Sequence, residues 1–234
     1  MGAIQTVHSE IICDLRKYFT LETVRLKYPF PVRPGRALGL VKLDGDVFST
    51  DKLLRVVCMR ITLPVFMKVY STFIRSKLEY DLPAFLCEVV CTGSKRLIVL
   101  DVHRTGDKAE LEKDRPLFDQ LMDIRGGYED LLQFQKQARG GAANLVQSRA
   151  TCRLGITAVQ EERTLGLIKE YLVAFAKHVA ETAPLRGDEL ETLKKDFESY
   201  LKSVVKHDPG VKGNKALFGE KEGVERALDI FYGI

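Results

Sequence analysis

The sequence predicts an α+β fold: a three-layer α/β/α sandwich around a central, mainly antiparallel sheet, in a single domain over residues 1–234. Strand-like runs follow one another in an unbroken block, joined by connections of a few residues. Such connections are too short for the crossover helices that parallel pairing requires. Runs of helical period flank the block on both sides in sequence, which provides a cover for each sheet face. The composition, 45% hydrophobic and 29% charged, supplies one compact core and argues against disorder, low complexity or a coiled coil.

The first helix is expected from Glu10 to Phe19, with Ser9 as its cap and Ile11, Ile12, Leu15 and Phe19 at helical spacing. A loop rich in Pro and Arg (Pro29, Pro31, Arg33, Pro34, Arg36) follows. Strands are expected over Ala37 to Leu43, Leu53 to Thr62, Val65 to Ile74, Ala84 to Cys91 and Arg96 to His103. The turn signals between them are Asp44-Gly45-Asp46, Pro64, Glu79-Tyr80-Asp81-Leu82-Pro83 and Thr92-Gly93-Ser94. After Asp107 the period becomes helical over Leu111 to Met122 and Tyr128 to Ala138, each run leading into a Gly-Gly pair. Arg149 to Thr157 reads as one more strand. Helices over Gln160 to Thr182, Asp188 to Val205 and Glu222 to Phe231 complete the chain, the first carrying Leu165, Ile168, Leu172 and Phe175 on one stripe.

Several function classes lose support at once. The net charge is +4, from 36 basic and 32 acidic side chains, with no concentrated basic stripe, so no nucleic-acid partner is expected. The Arg125–Gly127 and Arg139–Gly141 triplets read as helix ends rather than RNA-binding repeats. No apolar run reaches the roughly 18 residues of a membrane span. His8, Glu10 and Asp14 interrupt any secretory apolar region. The expected location is the cytoplasm, or the plastid stroma after removal of a transit peptide. The five cysteines (Cys13, Cys58, Cys87, Cys91, Cys152) form no C-x-x-C pair and read as reduced thiols without a zinc site. No dinucleotide, P-loop, nucleophile-elbow or zincin motif is present.

Polar residues inside strands carry more information. In Ala84 to Cys91 a period of two sets Ala84, Leu86, Glu88 and Val90 on one face and Phe85, Cys87, Val89 and Cys91 on the other. Both faces read as buried, so Glu88 projects from a covered surface, where burial raises a carboxyl pKa toward that of a general acid. The alternative is a structural Glu bonded to a helix or an Arg. Asp101 and His103 share one face at a strand end, either as a proton-relay pair or as a satisfied terminus. Asp208, before Pro209, reads from composition as a turn former in a loop between the last two helices.

Glu79-Tyr80-Asp81-Leu82-Pro83-Ala84-Phe85, then Glu88, Leu97-Ile98-Val99-Leu100-Asp101, Asp208 with Leu217-Phe218-Gly219, and Phe231 together resemble the ferredoxin-dependent bilin reductases. The red chlorophyll catabolite reductases are similar. The resemblance spans about Leu53 to the C-terminus and implies an α/β/α sandwich with no cofactor of its own. It implies that a linear tetrapyrrole binds between the sheet and the C-terminal helices, taking single electrons from a reduced iron-sulfur ferredoxin in alternation with protons from side chains. The family's two carboxylates fall on Glu88 and Asp208. Ser71 stands where many of these enzymes have His, and Glu88 where many have Asp; Glu88 matches the chlorophyll-catabolite branch. Ser71 donates a hydrogen bond without being an acid, which turns attention to His103 and His207. Arg60, Arg75 and Arg153 are strand cations suited to substrate carboxylates. The expected activity is ferredoxin-dependent reduction of biliverdin or a related bilin through a radical; a chlorophyll-derived bilin, a non-catalytic bilin carrier and an unrelated domain with a structural Glu88 are the alternatives.

Overall fold

A computed structural model of the chain describes residues 2–64, 67–104, 111–137 and 148–234. Seven strands form one sheet in sequence order, every neighbouring pair antiparallel. They are β1 (Glu22–Thr23), β2 (Lys42–Ser49), β3 (Leu53–Leu63), β4 (Met67–Ser76), β5 (Ala84–Thr92), β6 (Lys95–His103) and β7 (Cys152–Thr157). The helices are α1 (Val7–Leu15), α2 (Arg115–Gly126), α3 (Glu129–Leu132), α4 (Glu161–Glu181), α5 (Asp188–His207), α6 (Pro209–Phe218) and α7 (Glu220–Tyr232).

One face of the sheet meets α1, α2 and α4. Ile11, Leu15, Leu117, Leu167, Leu172 and Phe175 pack there on Val56, Ile74, Phe85, Val89, Ile98 and Leu154. The other face meets the C-terminal helices: Phe231 and Ile230 of α7, with Leu217 and Phe218 of α6, join Leu43, Val47, Val57, Met59 and Phe73. A smaller cluster, built from Phe197, Tyr200, Leu201 and Val204 of α5 with Val211, Ala227 and Tyr232, ties the last three helices together. The three-layer α/β/α architecture is therefore as expected.

Several boundaries differ from the sequence expectation. The Asp44-Gly45-Asp46 triplet is strand rather than turn: β2 runs through it, with Asp44 paired to Arg60 and Gly45 to Met59. Asp44 is held there by Lys42 and Arg60 at 3.1 and 2.6 Å, and a Cβ at position 45 would run into the Cys58 carbonyl oxygen. The turn moves to Thr50, whose hydroxyl accepts the Lys52 and Leu53 amides at 3.1 and 2.8 Å. Ser9 lies inside α1 and donates to the Thr6 carbonyl. The run expected from Tyr128 to Ala138 is helical only over Glu129–Leu132, and Gln135 bridges to Leu154 of β7. Val65, Ala138 and the Arg139–Gly141 triplet lie outside the described residues. Between α5 and α7 the expected loop is a further helix, α6.

The Glu79–Pro83 turn is built as expected and its fixing is visible. Asp81 takes a positive φ of 42° after a 3-10 turn, a conformation that Asp tolerates better than most residues. Its carboxylate and carbonyl are gripped by Arg104 at 2.7 and 2.6 Å, while Arg104 Nε donates to the fully buried Asp114 at 2.7 Å. This ion cluster fixes the entry into β5.

Candidate active site between the sheet and the C-terminal helices

Register places the chemistry. Met59 of β3 pairs with Ser71 of β4, Ser71 with Glu88 of β5, Glu88 with Val99 of β6, and Val99 with Arg153 of β7. Directly paired residues share a face, so Ser71, Glu88 and Arg153 stand in one row on the side that faces α7. That side is unevenly covered. Phe85, Cys87 and Val89 are buried under α1 and α4, whereas Leu86, Glu88 and Val90 on the α7 side are partly exposed. The expectation that both faces of β5 are sealed is corrected accordingly. Val69, Phe73, Leu86, Val90, Leu97 and Val99 form a partly exposed apolar shelf around Glu88. Uncovered apolar surface with a single acid at its centre is the character of a small-molecule site.

The Glu88 carboxyl is held above its ordinary range, chiefly by burial among protein atoms and next by the negative charge of Asp208. Arg153 and a hydrogen bond from the Ser71 hydroxyl act in the opposite direction. Glu88 is thus a carboxyl whose proton is retained more readily than in water, with a donor and a cation beside it to receive the charge when the proton leaves. Asp208 arrives from the other layer. It forms the junction between α5 and α6 and caps α6, its Oδ1 accepting the Val211 amide at 2.9 Å. The sheet acid and the helix-layer acid therefore converge across the shelf.

One step further along the same face lie Asp101, His103 and Arg75. Asp101, paired with Leu86, is buried and accepts the Ser148 hydroxyl at 2.6 Å and its amide at 3.3 Å. Burial nevertheless lifts its pKa to about 6. His103 Nδ1 lies 3.7 Å from Asp101, beyond hydrogen-bond range. Burial, and then the neighbouring Arg75 charge, push the imidazole down to about 4. Arg75 stacks on Phe197 and Tyr232, its guanidinium carbon 4.2 and 5.3 Å from the ring centres. The Tyr200 and Tyr232 hydroxyls sit 3.3 Å apart, and both phenols are held protonated by burial, with Asp208 adding to the effect.

Residues 8–225 match the family model for ferredoxin-dependent bilin reductase. The chain belongs to this family. Among solved structures it is similar to phytochromobilin synthase from tomato, determined in complex with biliverdin. The TM-score is 0.75 at 18% sequence identity, over 96% of this chain and 79% of that one. No curated protein matches the chain in sequence.

In this bilin reductase family member the structure brings Ser71, Glu88, Arg153 and Asp208 together and sets Asp101, His103 and Arg75 beside them on the same face. Two expected site residues lie elsewhere. Arg60 is corrected to the opposite face: it pairs with Tyr70, which packs under α1, and its guanidinium bonds Asp44 at 2.6 Å. Its position in β3 is one residue out of phase with Met59, the residue in the Ser71–Glu88 row. His207 is exposed on the last turn of α5 and joins no contact with Glu88. Tyr200 and Tyr232 were absent from the expected site. Their only trace in the sequence is the aromatic pair Phe197 and Tyr200 at helical spacing on an otherwise charged stretch. Among the described residues no three His, Cys, Asp or Glu side chains converge as a metal site, and no helix is long and apolar enough to cross a membrane.

Proposed function

We propose that the protein reduces biliverdin or a closely related linear tetrapyrrole, with electrons arriving singly from a reduced iron-sulfur ferredoxin and protons from its own side chains. The observation that carries this reading is the pairing of Glu88 with Asp208 across an apolar sheet surface in a chain of the bilin reductase family. The phytochromobilin synthase fold neighbour was solved with biliverdin, which supports a bilin as the occupant.

A flat, conjugated ligand lies against Leu86, Val90 and Val99, beneath α6 and α7. Glu88, protonated before electrons arrive, hydrogen-bonds a pyrrole nitrogen or the lactam edge and makes the ring system easier to reduce. The first electron leaves a radical of higher basicity, and the second returns the ring system to a closed shell that takes up a further proton. Glu88 then releases its proton to that radical, and the carboxylate left behind is stabilised by Ser71 and Arg153. Asp208, negatively charged while Glu88 holds its proton, relays the second proton from solvent to the opposite side of the ligand. A two-electron reduction thus consumes two electrons from ferredoxin and two protons, one through each acid. The protein itself holds no cofactor in this scheme. The net charge of +4 favours encounter with an acidic electron donor. The five free cysteines suit a reducing compartment, the cytosol or the plastid stroma.

The test is an anaerobic absorption assay with biliverdin, first alone and then with a reduced-ferredoxin system. A spectral shift on mixing and a blue-shifted product after reduction are expected, and chromatography of that product identifies the bond reduced. Binding without turnover refutes the catalytic reading in favour of a carrier, to which the absence of His at position 71 gives some weight. Turnover only with a chlorophyll-derived bilin selects the red chlorophyll catabolite branch, which Glu88 favours over Asp.

A further inference from the structure

Asp208 lies close to the end of α7. Helices α6 and α7 are joined by Gly219 alone and fold back on each other. A Cβ on Gly223 would strike the Asn214 and Lys215 backbone, and Val211 shares a buried cluster with Ala227. Continued at the same rise per residue, this antiparallel register sets Asp208 level with Ile230, two residues from Tyr232. Helical side chains lean toward the N-terminus of their helix, so the Tyr232 phenol leans back toward that level. Tyr232 also lies over the site face of the sheet. Its ring centre is 6.2 Å from that of Phe73 and 5.3 Å from the Arg75 guanidinium carbon, and Phe73 follows Ser71 on that face of β4.

The hydroxyls of Tyr232 and Tyr200, 3.3 Å apart, carry two protons between them, and one is spent in bonding the pair. Among the described residues neither oxygen has a further partner, so one phenolic proton has no acceptor. Tyr232 is 6% exposed and Tyr200 is partly exposed, which gives the pair an inner end and a solvent end. Burial first, and the charge of Asp208 as a lesser cause, hold both phenols protonated. Asp208 Oδ1 accepts the Val211 amide, which leaves the other carboxylate oxygen to receive a proton.

We infer that Tyr200 and Tyr232 form a hydroxyl relay that reloads Asp208 with protons from solvent while a ligand occupies the shelf. The inference rests on the function proposed above. A ligand lying beneath α6 and α7 closes the site side of Asp208 to bulk water, so the second proton needs another way in. Neither hydroxyl bonds Asp208 directly, and one water between Tyr232 and the free Asp208 oxygen completes the path. Solvent gives a proton to the Tyr200 oxygen as Tyr200 passes its own to Tyr232. Tyr232 in turn passes its proton to the water, and the water passes one to the carboxylate. One proton enters, Asp208 becomes neutral, both phenols end as they began, and no electron moves. Because the transfers are concerted, no phenolate forms, and the reluctance of buried phenols to ionise is no obstacle. The pair acts through Asp208 and touches no reacting atom, so its members are positioning residues rather than catalytic ones.

The test mixes the biliverdin complex rapidly with reduced ferredoxin and follows decay of the one-electron-reduced pigment by absorption, in water, in heavy water and in mixtures of the two. Wild type should show a solvent isotope effect that curves with deuterium fraction, because several protons move together. Tyr232→Phe and Tyr200→Phe keep the rings and remove the hydroxyls. Each should slow the decay by about tenfold or more without weakening bilin binding, and added imidazole, a small proton carrier, should restore most of the lost rate. A pair that only ties α5 to α7 gives no such rescue. Wild-type decay rates in both Phe variants, or a slowing that imidazole does not relieve, overturn the relay. So does a wild-type isotope effect that is absent or linear in deuterium fraction, a measurement that decides the matter even if the variants do not fold. Failure of wild type to reduce biliverdin defeats the proposed function, and the relay falls with it; full activity in the Phe variants defeats the relay alone.

Discussion

Replacing His103 with Gln removes a group that opposes folding in acid. The imidazole is 6% exposed, and its pKa falls from an ordinary 6.5 to about 4. A His depressed in the folded state contributes stability that is complete above the unfolded pKa and is lost as pH falls through the interval toward the folded value. At about 1.4 kcal/mol per pH unit the whole interval corresponds to about 3 kcal/mol, of which about 2.5 kcal/mol is reached by pH 4.5. Asp101 gives no relief, because its own pKa near 6 leaves it neutral in that range. Since the chain has no Trp, urea unfolding is followed by far-ultraviolet circular dichroism at pH 7 and pH 4.5. The wild-type protein should lose about 2.5 kcal/mol more than His103→Gln between the two conditions. His8, also pushed to about 4, is common to both proteins and cancels. Parallel losses, within about 0.5 kcal/mol of one another, refute the argument that His103 is buried neutral beside Arg75.

Glu88→Gln keeps the size and hydrogen-bonding reach of the side chain and removes its acid function. Bilin affinity should change less than about threefold while turnover drops by about 100-fold or more, as steady-state and single-turnover kinetics would register. At position 208 the capping and acid roles separate. Asn retains the cap on Val211 and should leave stability within about 0.5 kcal/mol, whereas Ala should cost about 1 kcal/mol; both should slow turnover, and a fully active Asp208→Asn enzyme excludes Asp208 as a proton source. Arg104→Met strands the fully buried Asp114 and should destabilise the fold by about 3–5 kcal/mol in urea unfolding. A loss below about 1 kcal/mol would mean that the cluster does not fix the turn into β5.

The strands from β3 to β6 were legible because their side chains alternate and their turns carry Gly, Pro or the Glu79–Pro83 signal. β2 was misread for an electrostatic reason: Asp44 looks like a turn residue until Lys42 and Arg60 are seen to neutralise it. α6 was hidden by Pro209, Gly210 and Gly213, residues that weaken a helix, whereas the Asp208 cap and packing against α7 sustain it. Glu88 stood out as a lone acid in an apolar strand. Its partnership with Asp208 is a tertiary fact that no local pattern encodes, and the resemblance to a family supplied it in advance. The exclusion of Arg60 required knowing which residue of β3 stands opposite Ser71, since one step of phase separates the two faces.

The row that joins Ser71, Glu88 and Arg153 also limits how the site can change. Side chains alternate with a strict period of two, so a single-residue insertion or deletion within β4 or β5 would carry the polar group through the sheet into the packed layer beneath α1 and α4. It would also turn a residue such as Tyr70 or Val89 outward onto the shelf. The acids cannot slide along their strands in small steps toward a different ring of the ligand. Under the proposed mechanism, the point of proton delivery changes by exchanging the residue at a fixed position, such as 71 or 88, or by shifting the ligand itself across a stationary sheet.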